Sequence, residues 1–251
     1  MLPTDRQPLP MPASTPLAPP DDFVGRLSAI DVHLDAAVLE KLGDYLARLL
    51  AMNEHMNLTA IVDPASAWDK HVLDALTLLP LLQELRAGAR LADIGSGGGV
   101  PGIPLAIARP DLKVTLIEAT QKKAAFLVAV AAALGLSQVT VRAARAEELA
   151  LGELRGGFDV VTARAVGKLS ALVPIAAPLA RAGGLLLLVK GQRADEELAA
   201  AAKILTKQHT IHEKTIATPT GRIVVLRRIQ SPDKEPDKKP ARGRKPRRAR
   251  S

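Results

Sequence analysis

Between residues 93 and 104 the chain reads DIGSGGGVPGIP, a stretch with very few side chains that carries one acid, Asp93, and one hydroxyl, Ser96. Glycine is costly to order and is favoured where the backbone takes positive φ or closely approaches another group, so such a cluster marks a place where main chain meets a ligand. Read from Gly97, the cluster satisfies G-x-G-x-x-G at Gly97, Gly99 and Gly102, the pattern that brings backbone against a pyrophosphate. Glu118 follows 21 residues after Gly97, where a carboxylate can accept hydrogen bonds from ribose hydroxyls. Read from Asp93, the same residues form D-x-G-x-G-x-G, with the acid at a strand end and Gly95, Gly97 and Gly99 at alternate positions. Glu118 serves a ribose equally well in both frames. The chain has no cysteine, which excludes disulfides, thiolate metal sites and cysteine nucleophiles together. His209 and His212 lie three apart in a strand-like run, so their side chains diverge and no metal site is expected.

These residues need a scaffold. From residue 89 onward, short apolar runs alternate with longer helical segments: ARLADIG, KVTLIEA, QVTVRAA, FDVVTARA and GLLLLVKG read as strands, with helices over PGIPLAIARP, TQKKAAFLVAVAAALG, AEELA and KLSALVPIAAPLARAG between them. This alternation calls for right-handed crossovers and a mostly parallel sheet covered on both faces, with the all-apolar LLLLV as a central strand. After a helix around Ala194 to Thr206, KQHTIHEKTI and GRIVVLRRI form a hairpin about TPTG. Upstream, Asp35 caps a helix whose face carries Leu39, Leu42, Leu46, Leu49 and Leu50, and Asp63-Pro64 opens a second helix bearing Trp68, Val72, Leu76 and Leu79 until Pro80 disturbs it. In an open parallel sheet the ligand crevice lies beyond the strands' carboxyl ends where strand order reverses, which is where the loop after the first strand sits.

With 251 residues, 47% of them hydrophobic, the chain can bury one large core. The longest apolar run, Ala124 to Leu136, falls short of the ~18 residues needed to span a bilayer, and the N-terminus lacks a basic region followed by an apolar one. A cytoplasmic protein with no membrane partner is expected. The net charge of +8 is unevenly spread, because Ser231 to Ser251 carries nine bases and three acids. The organisation expected is a Pro-rich, largely disordered leader over 1–34, a helical cap over 35–88, the main domain over 89–230, and a disordered basic tail over 231–251 that attracts a polyanion or merely solubilises. Only five aromatics occur, Phe23, Tyr45, Trp68, Phe126 and Phe158, so recognition of a nucleic acid should rest on phosphate contacts and folded shape rather than on stacking.

The D-x-G-x-G-x-G frame resembles motif I of the Rossmann-like S-adenosylmethionine-dependent methyltransferases, in which the loop lies against the cofactor's amino-acid moiety and Asp93 stands near its ammonium group. The terminal hairpin resembles the sixth and seventh strands of that fold. The expected fold class is therefore α/β, with a mostly parallel seven-stranded sheet, an antiparallel last strand and an N-terminal helical cap. The only tyrosine, Tyr45, lies in the helical leader, so a tyrosine-based short-chain dehydrogenase site is absent, although an NAD-dependent dehydrogenase stays open as a less favoured reading. Among methyl acceptors, an exocyclic amine is commonly served by a D/N-P-P-Y/F loop after the fourth strand, where this chain reads Thr162-Ala163-Arg164-Ala165-Val166. Methylation of pyrimidine C5 generally uses the cysteine this chain lacks. A ring nitrogen such as guanine N7 has a free lone pair and needs no general base, so placement can carry the reaction, supplying ~7–11 kcal/mol.

MNLTAIVDP at 56–64, KHVLDAL at 70–76, LADIGSGGGVPGIPLAIARP at 91–110, LIEATQKKAAFL at 116–127, ARAEEL at 144–149, FDVVTARAV at 158–166 and GGLLLLVKG at 183–191 together resemble the RsmG family, also called GidB. That family methylates guanine N7 in 16S ribosomal RNA using S-adenosylmethionine, and the resemblance runs from about residue 36 to 229. It implies that Gly95 and Val100 line the methionine side of the pocket and that Glu118 holds the ribose. Ala146 and Glu147 then contact the adenine, and Arg164 stands near the reaction centre among the cofactor-binding residues, where an electrostatic role towards the methyl acceptor is expected of it and no residue is assigned as a general base. Asn57, Thr59, His71 and Asp74 match motifs of the helical leader facing the crevice, and Lys190 matches a lysine that meets RNA. Taken singly, His71 also reads as a packed histidine and Arg164 or Lys190 as a strand-end cation. Ala75 departs from the family's H-x-x-D-S, so a hydroxyl there is not required. The implied partner is 16S ribosomal RNA or the small ribosomal subunit, with no obligate protein partner evident. The alternative of another class is a noncatalytic RNA-binding or ribosome-assembly factor.

Overall fold

The structure, a computed structural model, describes residues 9–230. The basic tail and residues 1–8 lie outside the described residues. Seven strands form one sheet: β1 (Arg90–Ile94), β2 (Lys113–Ile117), β3 (Val139–Arg142), β4 (Phe158–Arg164), β5 (Ala180–Lys190), β6 (Thr210–Thr218) and β7 (Gly221–Arg228). Their order is β3-β2-β1-β4-β5-β7-β6, with the first five parallel and β7 antiparallel to both neighbours. Connectivity proceeds outward in one direction from β1 through β2 to β3, and in the other through β4 and β5. The reversal point is the junction of β1 and β4.

The inner strands are largely apolar on both faces because each face meets helices. On one side Leu91, Val160, Leu187, Val189, Ile223 and Val225 pack in a cluster with α2 (Ala36–Met56), α5 (Gly102–Ala108) and α6 (Gln121–Ala133). On the other, Ala92, Val161, Leu186, Leu188, Val224 and Leu226 pack with α7 (Ala146–Leu151), α8 (Leu169–Leu179) and α9 (Ala194–Lys207). The run LLLLV is thus divided residue by residue between two cores, as a strand period of two dictates. The N-terminal helices join the first of these clusters, so cap and sheet share one core.

Both expected caps form: Asp35 accepts from the Val38 amide at 2.8 Å, and Asp63 from the Ser66 amide at 2.8 Å. The helix after Asp63 is not uniform. It runs as α3 (Pro64–Ala67), a π-helical turn over Trp68–Leu73 and α4 (Asp74–Leu76), followed by a 3₁₀ turn at Leu79–Leu82 that holds Pro80. Such π turns are often found at functional sites, and this one carries His71 and delivers Asp74.

The leader departs from expectation. Over residues 9–34 it is placed against the fold, with a helix α1 at Phe23–Ser28 and with Leu9, Met11 and Leu17 packed on the core. Its prolines suppress regular structure but leave these apolar side chains free to bury, and Phe23 packs edge-on against Trp68 at 4.7 Å between centroids. The strap is held by the Leu17 amide donating to Gly43 O at 3.2 Å and by Arg48 donating to Pro12 O at 3.0 Å. It passes so close to α2 that a Cβ on Gly43 would lie 2.2 Å from Leu17 O. Alanine for glycine within a helix normally stabilises by ~1 kcal/mol, whereas overpacking against backbone costs ~1–3 kcal/mol. Gly43→Ala should therefore lower the urea midpoint of the full chain and raise that of a chain lacking residues 1–20; the same sign in both would show that the strap does not press on α2.

Candidate functional site

The glycine loop is the turn from β1 into α5. Gly95 takes φ +66°, and a Cβ there would stand 2.8 Å from a Val166 methyl. The Gly95 and Ser96 amides donate to Ile117 O at 2.9 and 3.2 Å, tying the loop to the end of β2. Glu118 tightens the same junction: one carboxylate oxygen accepts from the Gly97 amide at 2.9 Å and the other from the Thr120 amide at 2.7 Å.

Asp93 turns beneath the loop. It is fully buried, with Oδ2 accepting from the Gly102 amide at 3.2 Å and Oδ1 from the Thr162 hydroxyl at 3.2 Å, while Ser96 donates to the Asp93 carbonyl at 3.0 Å. Burial pushes its carboxyl up to about 7, against the pull of Ser96, Thr162 and the Gly102 amide. The approach requires glycine at 102, since a Cβ there would stand 2.2 Å from Leu116 and 2.9 Å from the Asp93 carboxylate. An acid thus occupies the first amide of α5, the group a pyrophosphate would need, so the G-x-G-x-x-G frame does not build a diphosphate site. From the cap, buried Tyr45 donates its hydroxyl to Gly98 O at 2.8 Å, and burial holds the phenol far above its ordinary pKa, so it remains a donor.

Beyond the loop lies a cleft of about 150 Å³ across the carboxyl ends of β1 to β4. Ile94, Ile117, Val166 and Ile175 make its apolar walls, Gly95 lies at its edge, and Glu118, Arg145, Ala146 and Glu147 line the side formed by β2 and the start of α7. Carboxylates beside a flat apolar slot suit ribose hydroxyls and a purine, and the open glycine backbone suits an amino-acid tail. Acceptor carboxylates, an apolar slot and open glycine backbone together fit S-adenosylmethionine.

A second group of polar residues adjoins the cleft through the loop after β4. Arg164 at the end of β4 is mostly buried, and its Nε pairs with Asp74 Oδ2 at 2.9 Å. Its Nη1 lies 3.5 Å from His71 Nδ1, and His71 Nε2 lies 2.9 Å from the Thr59 hydroxyl. Asp74 Oδ1 accepts from the Thr220 hydroxyl in the β6–β7 turn. The chain turns at Ala165, φ +56°, a region that costs a non-glycine residue roughly 1–2 kcal/mol, and the following loop is pinned. Lys190 Nζ donates to Gly167 O at 2.5 Å and pairs with Glu197 at 2.8 Å, and Glu197 also accepts from the Leu169 amide at 3.0 Å.

The residues singled out in the sequence divide accordingly. Gly95, Glu118, Ala146 and Glu147 surround one cleft, and Thr59, His71, Asp74 and Arg164 form one network. Asp93 and Gly97 shape the loop from below and behind rather than facing the cleft, while Gly99 and Val100 close its turn by donating to Ser96 O at 2.6 and 3.2 Å. Asn57 is apart: it is the exposed left-handed cap of α2, at φ +51°. Lys190 is committed to Glu197 and the loop. Thr162, Tyr45, Val166 and Thr220 show no site role in the sequence, because their contacts, such as Thr162 opposite Asp93 in the β1–β4 register, join segments far apart in the chain. Among the described residues no group of three or more metal-binding side chains occurs, and no helix is long and apolar enough to cross a membrane.

A family model described as GidB, rRNA small subunit methyltransferase G, matches residues 38–224. The ribosomal RNA small subunit methyltransferase G of Sorangium cellulosum (strain So ce56) is 66% identical over 242 residues, covering 96% of this chain and 100% of that one. Its counterpart in Halorhodospira halophila (strain DSM 244 / SL1) is 43% identical over 201 residues, covering 80% and 92%. Among solved structures, a SAM-dependent methyltransferase from Aquifex aeolicus is similar with a TM-score of 0.51 at 16% identity, covering 66% of this chain and 94% of that one, a likeness of fold alone. With the match spanning cap, glycine loop and terminal hairpin alike, the chain belongs to the GidB family of ribosomal RNA small subunit methyltransferases.

Proposed function

We propose that the protein methylates N7 of a guanosine in 16S ribosomal RNA, with Gly95, Glu118, Ala146 and Glu147 holding the cofactor and Arg164 orienting the acceptor base. The reading places the enzyme in the cytoplasm, with the small ribosomal subunit or its RNA as partner. When bound, S-adenosylmethionine supplies an electrophilic methyl group on a sulfonium. N7 would accept that methyl carbon in line, the N–C bond forming as the S–C bond breaks and its electron pair leaves on the thioether sulfur, so this chain has no proton to remove.

The observation that carries the acceptor assignment is the committed state of the polar groups around Arg164. Arginine has only donors, so its Nη1–H donates to His71 Nδ1, which fixes the hydrogen on Nε2, where it donates to the Thr59 hydroxyl. Burial, helped by the Arg164 charge, pushes the imidazole down to about 4. At neutral pH His71 is therefore uncharged, with its lone pair engaged, and Asp74 is bound on both oxygens. A residue set without a free base suits an acceptor that needs none.

Charge also matters. Methylation transfers positive charge from sulfur to the guanine, and an unpaired arginine beside the base would oppose it. Asp74 neutralises Arg164 overall, and the paired guanidinium can still donate to guanine O6 next to N7.

Arg164→Ala should lower methyl transfer to small-subunit RNA about 100-fold, the scale expected for losing a positioned donor, while the protein still binds S-adenosylmethionine in calorimetry. Near-normal turnover would remove the assignment, and cofactor binding by the native protein without transfer to any ribosomal RNA would favour the noncatalytic reading. A second outcome concerns pH. His71 titrates at about 6.5 in the unfolded chain and at about 4 in the fold, so the unfolded state takes up a proton that the folded state refuses. Its contribution to stability is full above 6.5 and is lost as pH falls towards about 4. In thermal melts across that window, His71→Gln should gain relative to the native chain as pH falls; a constant gap would show that the ring is not held neutral.

A further inference from the structure

We propose that Thr220, in the turn between the last two strands, is a positioning residue for methyl transfer, because its hydroxyl fixes the carboxylate that holds Arg164. This rests on the role given to Arg164 above and extends the reacting machinery to a hairpin 146 residues from Asp74 in sequence.

The turn is pressed against the sheet's carboxyl edge. Thr218 pairs with Gly221 in the β6–β7 register, and Gly221 sits so close to the end of β5 that a Cβ would lie 2.4 Å from Lys190 O. Donor directions within the turn are fixed by what each group can do. The Gly221 amide donates to the Thr218 hydroxyl oxygen at 3.0 Å, so the Thr218 hydrogen is left to point at the Thr220 oxygen, 3.5 Å away. The Thr220 hydrogen then has Asp74 Oδ1 as its acceptor, and Asp74 Oδ2 is ion-paired with Arg164 Nε at 2.9 Å.

A carboxylate held by one oxygen keeps a broad torsional freedom about its last bond. Asp74 is buried, 4% exposed, so an oxygen left without a donor would also be costly. With Thr220 on one oxygen and Arg164 on the other, the plane of the carboxylate is set, and with it the direction of the guanidinium. Asp74 comes from the cap, Arg164 from β4 and Thr220 from the hairpin, so three separate parts of the chain meet on one carboxylate. A merely structural threonine would tie hairpin to cap and nothing more.

The test uses the full-length protein carrying Thr220→Val, which keeps the shape and removes the hydroxyl, and Thr220→Ser, which restores it; Thr220→Ala replaces the valine variant if that one does not fold. Methyl transfer from S-adenosylmethionine to small-subunit RNA gives kcat and the KM for RNA, calorimetry gives the cofactor Kd, and a thermal melt gives Tm. The expected result, with activity measured well below the melting temperature, is a kcat about tenfold lower in Thr220→Val, an unchanged cofactor Kd, a Tm lower by a few degrees because one Asp74 oxygen loses its donor, and Thr220→Ser close to native in both. Native kcat in Thr220→Val, an equally slow Thr220→Ser, or a loss that follows Tm or cofactor Kd instead of kcat overturns the proposal. Arg164→Ala assayed beside them separates the two failures. If it is slow while Thr220→Val is native, only the role of Thr220 falls; if Arg164→Ala itself turns over normally, the reading of Arg164 falls and a slow Thr220→Val no longer acts through it.

Discussion

Two acids hold the glycine loop, and the rest of the site is arranged around that constraint. Asp93 accepts the Gly102 amide from below, and Glu118 accepts the Gly97 amide from the neighbouring strand. A fully buried carboxylate is expensive, as the rise of Asp93 to about 7 records, and it persists here because Thr162, Ser96 and Gly102 converge on it. The consequence is chemical. With the Asp93 carboxyl taking the first amide of α5, the helix N-terminus that a diphosphate would need is already occupied, and the loop offers bare backbone instead.

The cap completes this arrangement rather than standing apart from it. Tyr45 on α2 holds Gly98 O, the leader straps α2 in place, and the π turn delivers His71 and Asp74 to Arg164. Cofactor loop and acceptor side are thereby fixed by one helical layer that shares its core with the sheet. Displacing that layer would disturb both sides of the transfer at once.

Much of this was legible in advance, for physical reasons that differ between elements. The five parallel strands and their helices follow from apolar runs of strand length between helical segments, and both N-caps follow from an acid placed just before a helix. Glu118 is legible from its spacing to the glycine loop and Gly95 from the loop itself, whereas Ala146 and Glu147 follow only from the family resemblance, because an acid at a helix N-terminus reads by itself as a dipole partner. The packing of residues 9–34 is not legible in the sequence because proline content signals irregular backbone, not lack of burial, and Leu9, Met11 and Leu17 pack half-buried against the core. The π turn left no trace, since an i→i+5 bond has no side-chain signature. Lys190 reads as an exposed cation until α9 brings Glu197 to 2.8 Å, a tertiary fact that strand periodicity cannot contain. Thr220 was out of reach for the same reason.

The central claim concerns where the methyl group goes. Mass-spectrometric mapping of modified nucleotides in 16S ribosomal RNA from cells with and without this protein tests it most directly. The account predicts that one 7-methylguanosine disappears when the protein is absent and returns when it is restored. An unchanged set of 7-methylguanosines, or the loss of a methyl group from any other atom, would contradict it.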